Sequence, residues 1–149
     1  MKKVITITFI IISILSCKDK ISSTNKSQRE ITFKELTSFK SKPDNEIEKF
    51  LKNNSFISLQ TQFANQWKSE STNDIVQFND KVVVFLTYNM ETYNKLVNDL
   101  KKSTYKSTGK TIKKGIEVES FISDNETIFL NNMLDPSNSK MVYSLTFIK

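Results

Sequence analysis

The sequence predicts an α+β fold, an antiparallel β-sheet with three short helices packed on one face. Three observations predict it. Apolar residues recur with helical period in only three stretches, each beginning at residues suited to a helix start. From Ser55 onward the texture changes to short runs rich in Phe, Ile, Val and Tyr, separated by tight polar turns. Eleven phenylalanines supply a core, since each aromatic buries roughly 150–250 Å².

Thr32-Phe33-Lys34-Glu35 has the form of a capping box, and Ile31 and Leu36 stand at the two positions of a hydrophobic staple. A first helix therefore starts here, carrying Phe33, Leu36 and Phe39. Pro43 interrupts it. Asp44 is placed to cap a second helix, in which Ile47, Phe50 and Leu51 fall at i, i+3 and i+4 before Asn53-Asn54 closes it. Phe56 to Leu59, Ala64 to Lys68 and Ile75 to Phe78 read as strands, and Phe78-Asn79-Asp80-Lys81 fits a two-residue hairpin turn. Val82 to Tyr88 is apolar at both alternating positions except Thr87, which predicts a mid-sheet strand.

Asn89 caps a third helix whose Tyr93, Leu96, Val97 and Leu100 recur at i, i+3, i+4 and i+7, with Tyr88 and Tyr93 placed as its staple. Thr104 to Lys106, Ile116 to Ile122, Thr127 to Leu130 and Met141 to Ile148 complete the strands. Asp124-Asn125 makes a tight turn, and a long hairpin loop runs from Asn131 to Lys140. The two halves resemble each other. Phe56 follows Leu51 by five residues, as Tyr105 follows Leu100, and each helix leads into four strands. This spacing predicts a duplicated α-β-β-β-β unit over 44–88 and 89–149, built as one sheet or as two small ones.

Ahead of this domain, Lys2 and Lys3 precede a twelve-residue apolar run from Val4 to Leu15, which ends at Ser16 and the sole cysteine, Cys17. As a helix the run reaches roughly 18 Å, short of the roughly 30 Å hydrocarbon core of a bilayer, so it predicts an export signal over 1–16. Ile14-Leu15-Ser16-Cys17 resembles the lipobox of bacterial lipoproteins. The resemblance implies a lipid on the Cys17 sulfur, cleavage before that residue and a palmitate-type chain on the new amine. Lys18-Asp19-Lys20 is similar to the charged stretch behind the acylated cysteine in lipoproteins of the Bacteroidota, which implies an outer-membrane location on the periplasmic or the surface face. The other reading of a lone cysteine is a small buried hydrophobe. Residues 17–30 read as a tether, because 18–30 hold one large apolar residue, Ile21. Residues 31–149 form a single α+β domain, and with its cysteine acylated that domain has no internal disulfide.

Without residues 1–16 the chain keeps 20 basic and 16 acidic side chains, a formal +4. The excess is local, since within 95–114 seven lysines face only Asp99. Lys101, Lys102, Tyr105, Lys106, Lys110, Lys113 and Lys114 therefore form a candidate binding surface. It suits an acidic protein, an anionic headgroup or stacked single-stranded nucleic acid, and it equally suits a solvated helix end whose lysines favour the negative end of the helix dipole. The envelope address favours a protein or headgroup over nucleic acid.

The chemistry of the chain is spare. It has no histidine, which removes the commonest general base and metal ligand, and its one cysteine is assigned to lipid. Gly109 and Gly115 are the only glycines, so no glycine-rich phosphate loop or dinucleotide fingerprint is present. No cofactor and no metal are expected. Glu117 and Glu119 share one face of a strand opposite Ile116, Val118 and Ile122, which predicts that they face solvent. Asp135-Pro136-Ser137-Asn138-Ser139 lacks the central glycine and closing glutamate of a calcium loop. Trp67 reads either as core or as an exposed anchor for a partner. The expected function is a non-enzymatic, membrane-tethered protein-binding module, either of immunity type against a delivered toxin or an envelope assembly or scaffolding factor. The alternatives are a carboxylate-dependent hydrolase of envelope glycans, which needs two converging acids, and a carrier of a small ligand or lipid, which needs an apolar cavity.

Overall fold

The computed structural model describes residues 29–59 and 65–148. The predicted export signal, Cys17 and most of the predicted tether lie outside the described residues. Helices α1 (Phe33–Phe39) and α2 (Asp44–Asn53) lead into strands β1 (Phe56–Leu59), β2 (Asn65–Ser69), β3 (Ile75–Phe78) and β4 (Val82–Thr87). Helix α3 (Met90–Lys102) then leads into β5 (Lys106–Lys113), β6 (Ile116–Ser123), β7 (Glu126–Leu134) and β8 (Met141–Ile148).

All eight strands join one antiparallel sheet in the order β1-β2-β3-β4-β8-β7-β6-β5, so the chain is α+β with the sheet dominant. Each half is a meander, and the two meet where β4 pairs with β8 through Val83↔Phe147 and Phe85↔Leu145. Of the two sheet arrangements open to the sequence, the single sheet is the one observed. The apolar run of β4 is explained by its central place, with Val83 and Phe85 on one face and Val84 and Leu86 on the other.

Local chemistry starts two of the three helices as expected. Thr32 and Glu35 close the capping box, with the Thr32 N–H donating to Glu35 Oε2 at 2.9 Å, and both Ile31 and Leu36 are buried. Asn89 Oδ1 accepts from the backbone of Glu91 at 2.8 Å and of Thr92 at 3.3 Å, satisfying two amides that the helix cannot. Helix α2 differs: Pro43, which has no side chain able to cap, occupies its N-cap and Asp44 its first turn, where the carboxylate meets the helix dipole. The Tyr88–Tyr93 staple is absent as well. Tyr88 packs beside Leu86 and Val142 and donates to Asp135, whereas Tyr93 stacks on Tyr143 at 4.9 Å on the helix side.

The core lies between the helices and one sheet face. Phe39, Leu36, Ile47, Leu51 and Leu100 from the helices meet Phe78, Phe85, Leu145 and Phe147 from the strands, all fully buried. Phe39 and Phe50 interlock edge-to-face at 5.2 Å, an arrangement the ring quadrupoles favour. Trp67 is half-buried against this core. The last two residues of the expected tether are held to the domain: Arg29 pairs with Glu35, and Glu30 accepts from Lys95 Nζ at 2.8 Å.

The second half departs from expectation at the strand ends. Of the segment read as a short strand at Thr104 to Lys106, only Lys106 is strand; it opens an eight-residue edge strand, Lys106–Lys113, exposed throughout. Its polar sequence concealed it, and it closes onto β6 through Lys114 (φ +51°) and Gly115 (φ +79°), backbone suited to a type I′ turn. The loop expected from Asn131 to Lys140 shrinks to 135–140, because β7 continues through Asn131, whose Oδ1 accepts from Ser144 Oγ at 2.7 Å across the β7–β8 pair. The Asn79 turn shifts by one residue. Asn79 pairs with Val82 and its Oδ1 accepts from the amides of Lys81 and Val82, leaving Asp80-Lys81 at the tip.

Candidate binding surface

The basic surface expected from sequence divides between two sides of the sheet. Lys101 and Lys102 end α3 on the helix side. On β5, Lys110 turns the same way and pairs with Glu117 at 2.8 Å, whereas Lys106 and Lys113 pair across from Ile122 and Ile116 on the opposite side. Lys114 sits at the hairpin tip. These residues share a strand and a turn but not one face.

Tyr105 is a correction to that surface. Its ring is buried, edge-on to Phe33 at 6.4 Å, so it offers no face for stacking. Its hydroxyl donates to Glu126 and accepts from Lys40 Nζ at 2.7 Å, while Lys40 also pairs with Glu126. Burial and the hydrogen bond to Glu126 push the phenol above its usual range, and the Lys40 and Tyr105 bonds hold the Glu126 carboxyl below its own. The three groups floor an open groove of about 480 Å³ whose rim includes Lys34, Thr37, Ser38 and Ser103. They satisfy one another. The arrangement latches α1 to the β6–β7 turn, because a lysine side chain only 9% exposed needs its carboxylate and hydroxyl partners there.

The other sheet face carries no described helix. Core residues of all three helices lie with Val76, Phe85, Leu130 and Leu145, while Ile75, Leu86 and Val142 form a separate small cluster on the far side with Val84 and Tyr88. Cross-strand register defines this open face. One row runs Gln66–Gln77–Val84–Thr146–Phe129–Ser120, and the next runs Lys68–Ile75–Leu86–Ser144–Asn131–Val118. Ile57 (46% exposed) and Ile122 (43%) belong to the same face near its two ends. The second row is buried from Ile75 to Val118, and so is Gln66 in the first, whereas Gln77, Val84, Thr146, Phe129 and Ser120 are half-buried.

Asp135 borders this face through Tyr88, and the glutamates of β6 lie on the other side. Glu117 and Glu119 were expected on the solvent face opposite Ile116, Val118 and Ile122; Glu117 is exposed and Glu119 half-buried, while Val118 is buried, Ile116 half-buried and Ile122 exposed. Both glutamates project on the helix side, beyond the helices, Glu117 to Lys110 and Glu119 to the Ser107 hydroxyl at 2.9 Å, while the aliphatic trio lies on the open face. β6 reaches past the helical layer, so only Phe121 on its helix side meets the core. Asp135 accepts from Ser137 N–H (2.8 Å), Ser137 Oγ (2.7 Å) and Tyr88 OH (2.6 Å), which organises the β7–β8 loop. The Tyr88 and Ser137 bonds hold its carboxyl below the usual range, and burial with the Asp135 bond pushes Tyr88 up to about 12. Among the described residues no group of three or more metal-ligating side chains converges.

Asp74, only 2% exposed, is the unpaired case: the Thr72 hydroxyl donates to Oδ2 at 2.6 Å, and Oδ1 has no partner. Burial raises its carboxyl above the ordinary value, partly offset by the Thr72 and Thr87 hydroxyls. A raised folded-state value stabilises the protein only while the group is protonated, so this contribution is complete below the unfolded value of about 3.9 and fades as pH rises through the folded one. Asp74→Asn is expected to gain on the wild type in unfolding free energy as pH climbs from about 4, then hold a constant lead. Paired urea titrations across pH check this; a lead that shrinks with pH would contradict it.

No protein-family model matches this chain, and neither a curated protein nor a solved structure matches it. Function therefore rests on the geometry. The helix-free face was not anticipated from the sequence. The available signal was the recurrence of amides and hydroxyls at alternate positions of β2, β3, β7 and β8, where a second apolar layer would exclude them.

Proposed function

We propose that this protein is a lipid-anchored, non-enzymatic protein-binding module of the cell envelope, held by Cys17 and working through the open sheet face. The observation that carries the reading is that face: no described helix lies over it, and Gln77, Val84, Thr146, Phe129 and Ser120 form a half-buried row across it beside the buried Ile75, Leu86, Ser144, Asn131 and Val118. Such a mixture suits a protein partner, since interface centres combine apolar contact with about one hydrogen bond per 100–200 Å². The lipobox-like Ile14-Leu15-Ser16-Cys17 supports the envelope address, and the lack of histidine supports a binding role over a catalytic one. An immunity role and an assembly or scaffolding role both fit a tethered binding face. We further propose that the halves are a duplicated unit, a reading supported by their common element order and by the burial of Leu51, Phe56, Leu100 and Tyr105 at matching places.

A photo-reactive amino acid at Thr146, mid-face, is expected to trap one discrete partner in living cells, whereas one at exposed Lys49 on α2 traps none. A cross-link from Lys49 alone would move the binding site to the helices and end this reading.

A further inference from the structure

We infer that the open sheet face docks an acidic protein surface, one with an apolar centre flanked by carboxylates at both ends. This rests on the binding-module reading and names the partner's chemistry. The decisive observation is charge. No strand position on the open face carries Asp or Glu: the carboxylates of β6 and β7, Glu117, Glu119 and Glu126, all lie on the helix side, and Asp135 at the border of the face is buried and bonded to Tyr88, Ser137 and Asn138. The charged strand positions on the face are lysines only. Lys68 stands on β2 near one edge, and Lys106 and Lys113 stand on β5 at the other. None of these three ion-pairs with a described carboxylate, whereas Lys40, Lys95 and Lys110 elsewhere each have one. Lys113 instead lies over the Phe129 ring at 5.4 Å, which holds its ammonium above the face.

Size and texture favour a protein over a lipid surface. Eight strands give seven spacings of about 4.8 Å, and about five residues of overlap add roughly 17 Å in the other direction, so the face offers about 600 Å². That approaches the roughly 800 Å² per partner of a standard interface. Lys68 and Lys113 stand six spacings apart, about 29 Å, which a twenty-residue helix or a pair of strands can bridge. Between them Gln77, Val84, Thr146, Phe129 and Ser120 form a half-buried row, beside a row in which Ile75, Leu86, Ser144, Asn131 and Val118 are buried. Half-buried amide and hydroxyl groups beside Val84 and Phe129 suit directional hydrogen bonds with a protein, while a bilayer surface calls for protruding apolar side chains.

The test is a display selection of random twenty-residue peptides against the mature chain from residue 17, followed by affinity measurement of the enriched peptides. The inference expects peptides rich in Asp and Glu around an aliphatic centre. Their binding should weaken at least tenfold with the double charge reversal Lys68→Glu/Lys113→Glu and stay within twofold with Lys101→Glu/Lys102→Glu on α3, both variants keeping the wild-type melting temperature. Enriched peptides without acidic excess, peptides indifferent to Lys68 and Lys113, or no enrichment would each overturn it. So would phosphatidylglycerol vesicles binding through the same lysines while the peptides do not. A selection that fails beside a positive Thr146 cross-link discards the acidic partner and keeps the module; failure of both discards the module.

Discussion

Replacing Phe85 with alanine is expected to cost about 3–5 kcal/mol of folding free energy, the range for deleting a buried aromatic ring. Phe85 is fully buried at the middle of β4, between Val76 on β3 and Leu145 on β8 in cross-strand register, and belongs to the core cluster that takes in all three helices. No neighbouring element can collapse into the space, because strands on both sides fix the backbone. A domain of this size is stable by about 5–15 kcal/mol, so the variant loses a large share of its margin. With a urea slope of about 1–3 kcal/mol/M, the unfolding midpoint should fall by at least about 1 M. Phe129→Ala is the paired measurement. Phe129 is half-buried on the open face, two strands away, and its loss should shift the midpoint far less. Equal losses at the two sites would mean that both faces are covered, contradicting the assignment of an open face.

That contrast between faces is where sequence and structure part. Helix starts were legible because their causes are local: a Thr32–Glu35 capping box and an Asn89 cap are set by residues within four positions of one another. Strands β1, β3 and β8 were legible because dense Phe, Ile and Val fix them, and their ends match the observed ones. β5 was illegible since an edge strand with both faces in water needs no apolar pattern. The side of β6 on which the helices lie was illegible for a different reason. Alternation shows that Ile116, Val118 and Ile122 share a face, yet which face the helices cover depends on the packing of α1 and α3 far away in sequence. Tyr105 shows the same limit: neighbouring lysines suggested an exposed ring, while Lys40, 65 residues earlier, and Glu126 hold its hydroxyl inside.

Cys17→Ser is expected to abolish incorporation of labelled palmitate and to move the protein from the membrane pellet to the soluble fraction. Each acyl chain contributes about 0.8 kcal/mol per buried methylene, so the two chains of a diacylglycerol on the Cys17 sulfur would anchor the protein by on the order of 20 kcal/mol. Nothing else described here comes near that. No helix among the described residues is long and apolar enough to cross a bilayer. Attraction of lysines to an anionic leaflet is about 1 kcal/mol per residue close to the surface and is screened within roughly 10 Å at 0.1 M salt, so a salt wash separates it from lipid anchoring. Released protein should keep its melting temperature, because the described core is built from Ile31 onward. It should also keep its affinity for any peptide selected on the open face, since Lys68 and Lys113 are untouched. Retention of palmitate label or of salt-resistant membrane binding by Cys17→Ser would refute the anchor. Loss of anchoring with folding and peptide binding intact would instead separate the protein's address from its binding face.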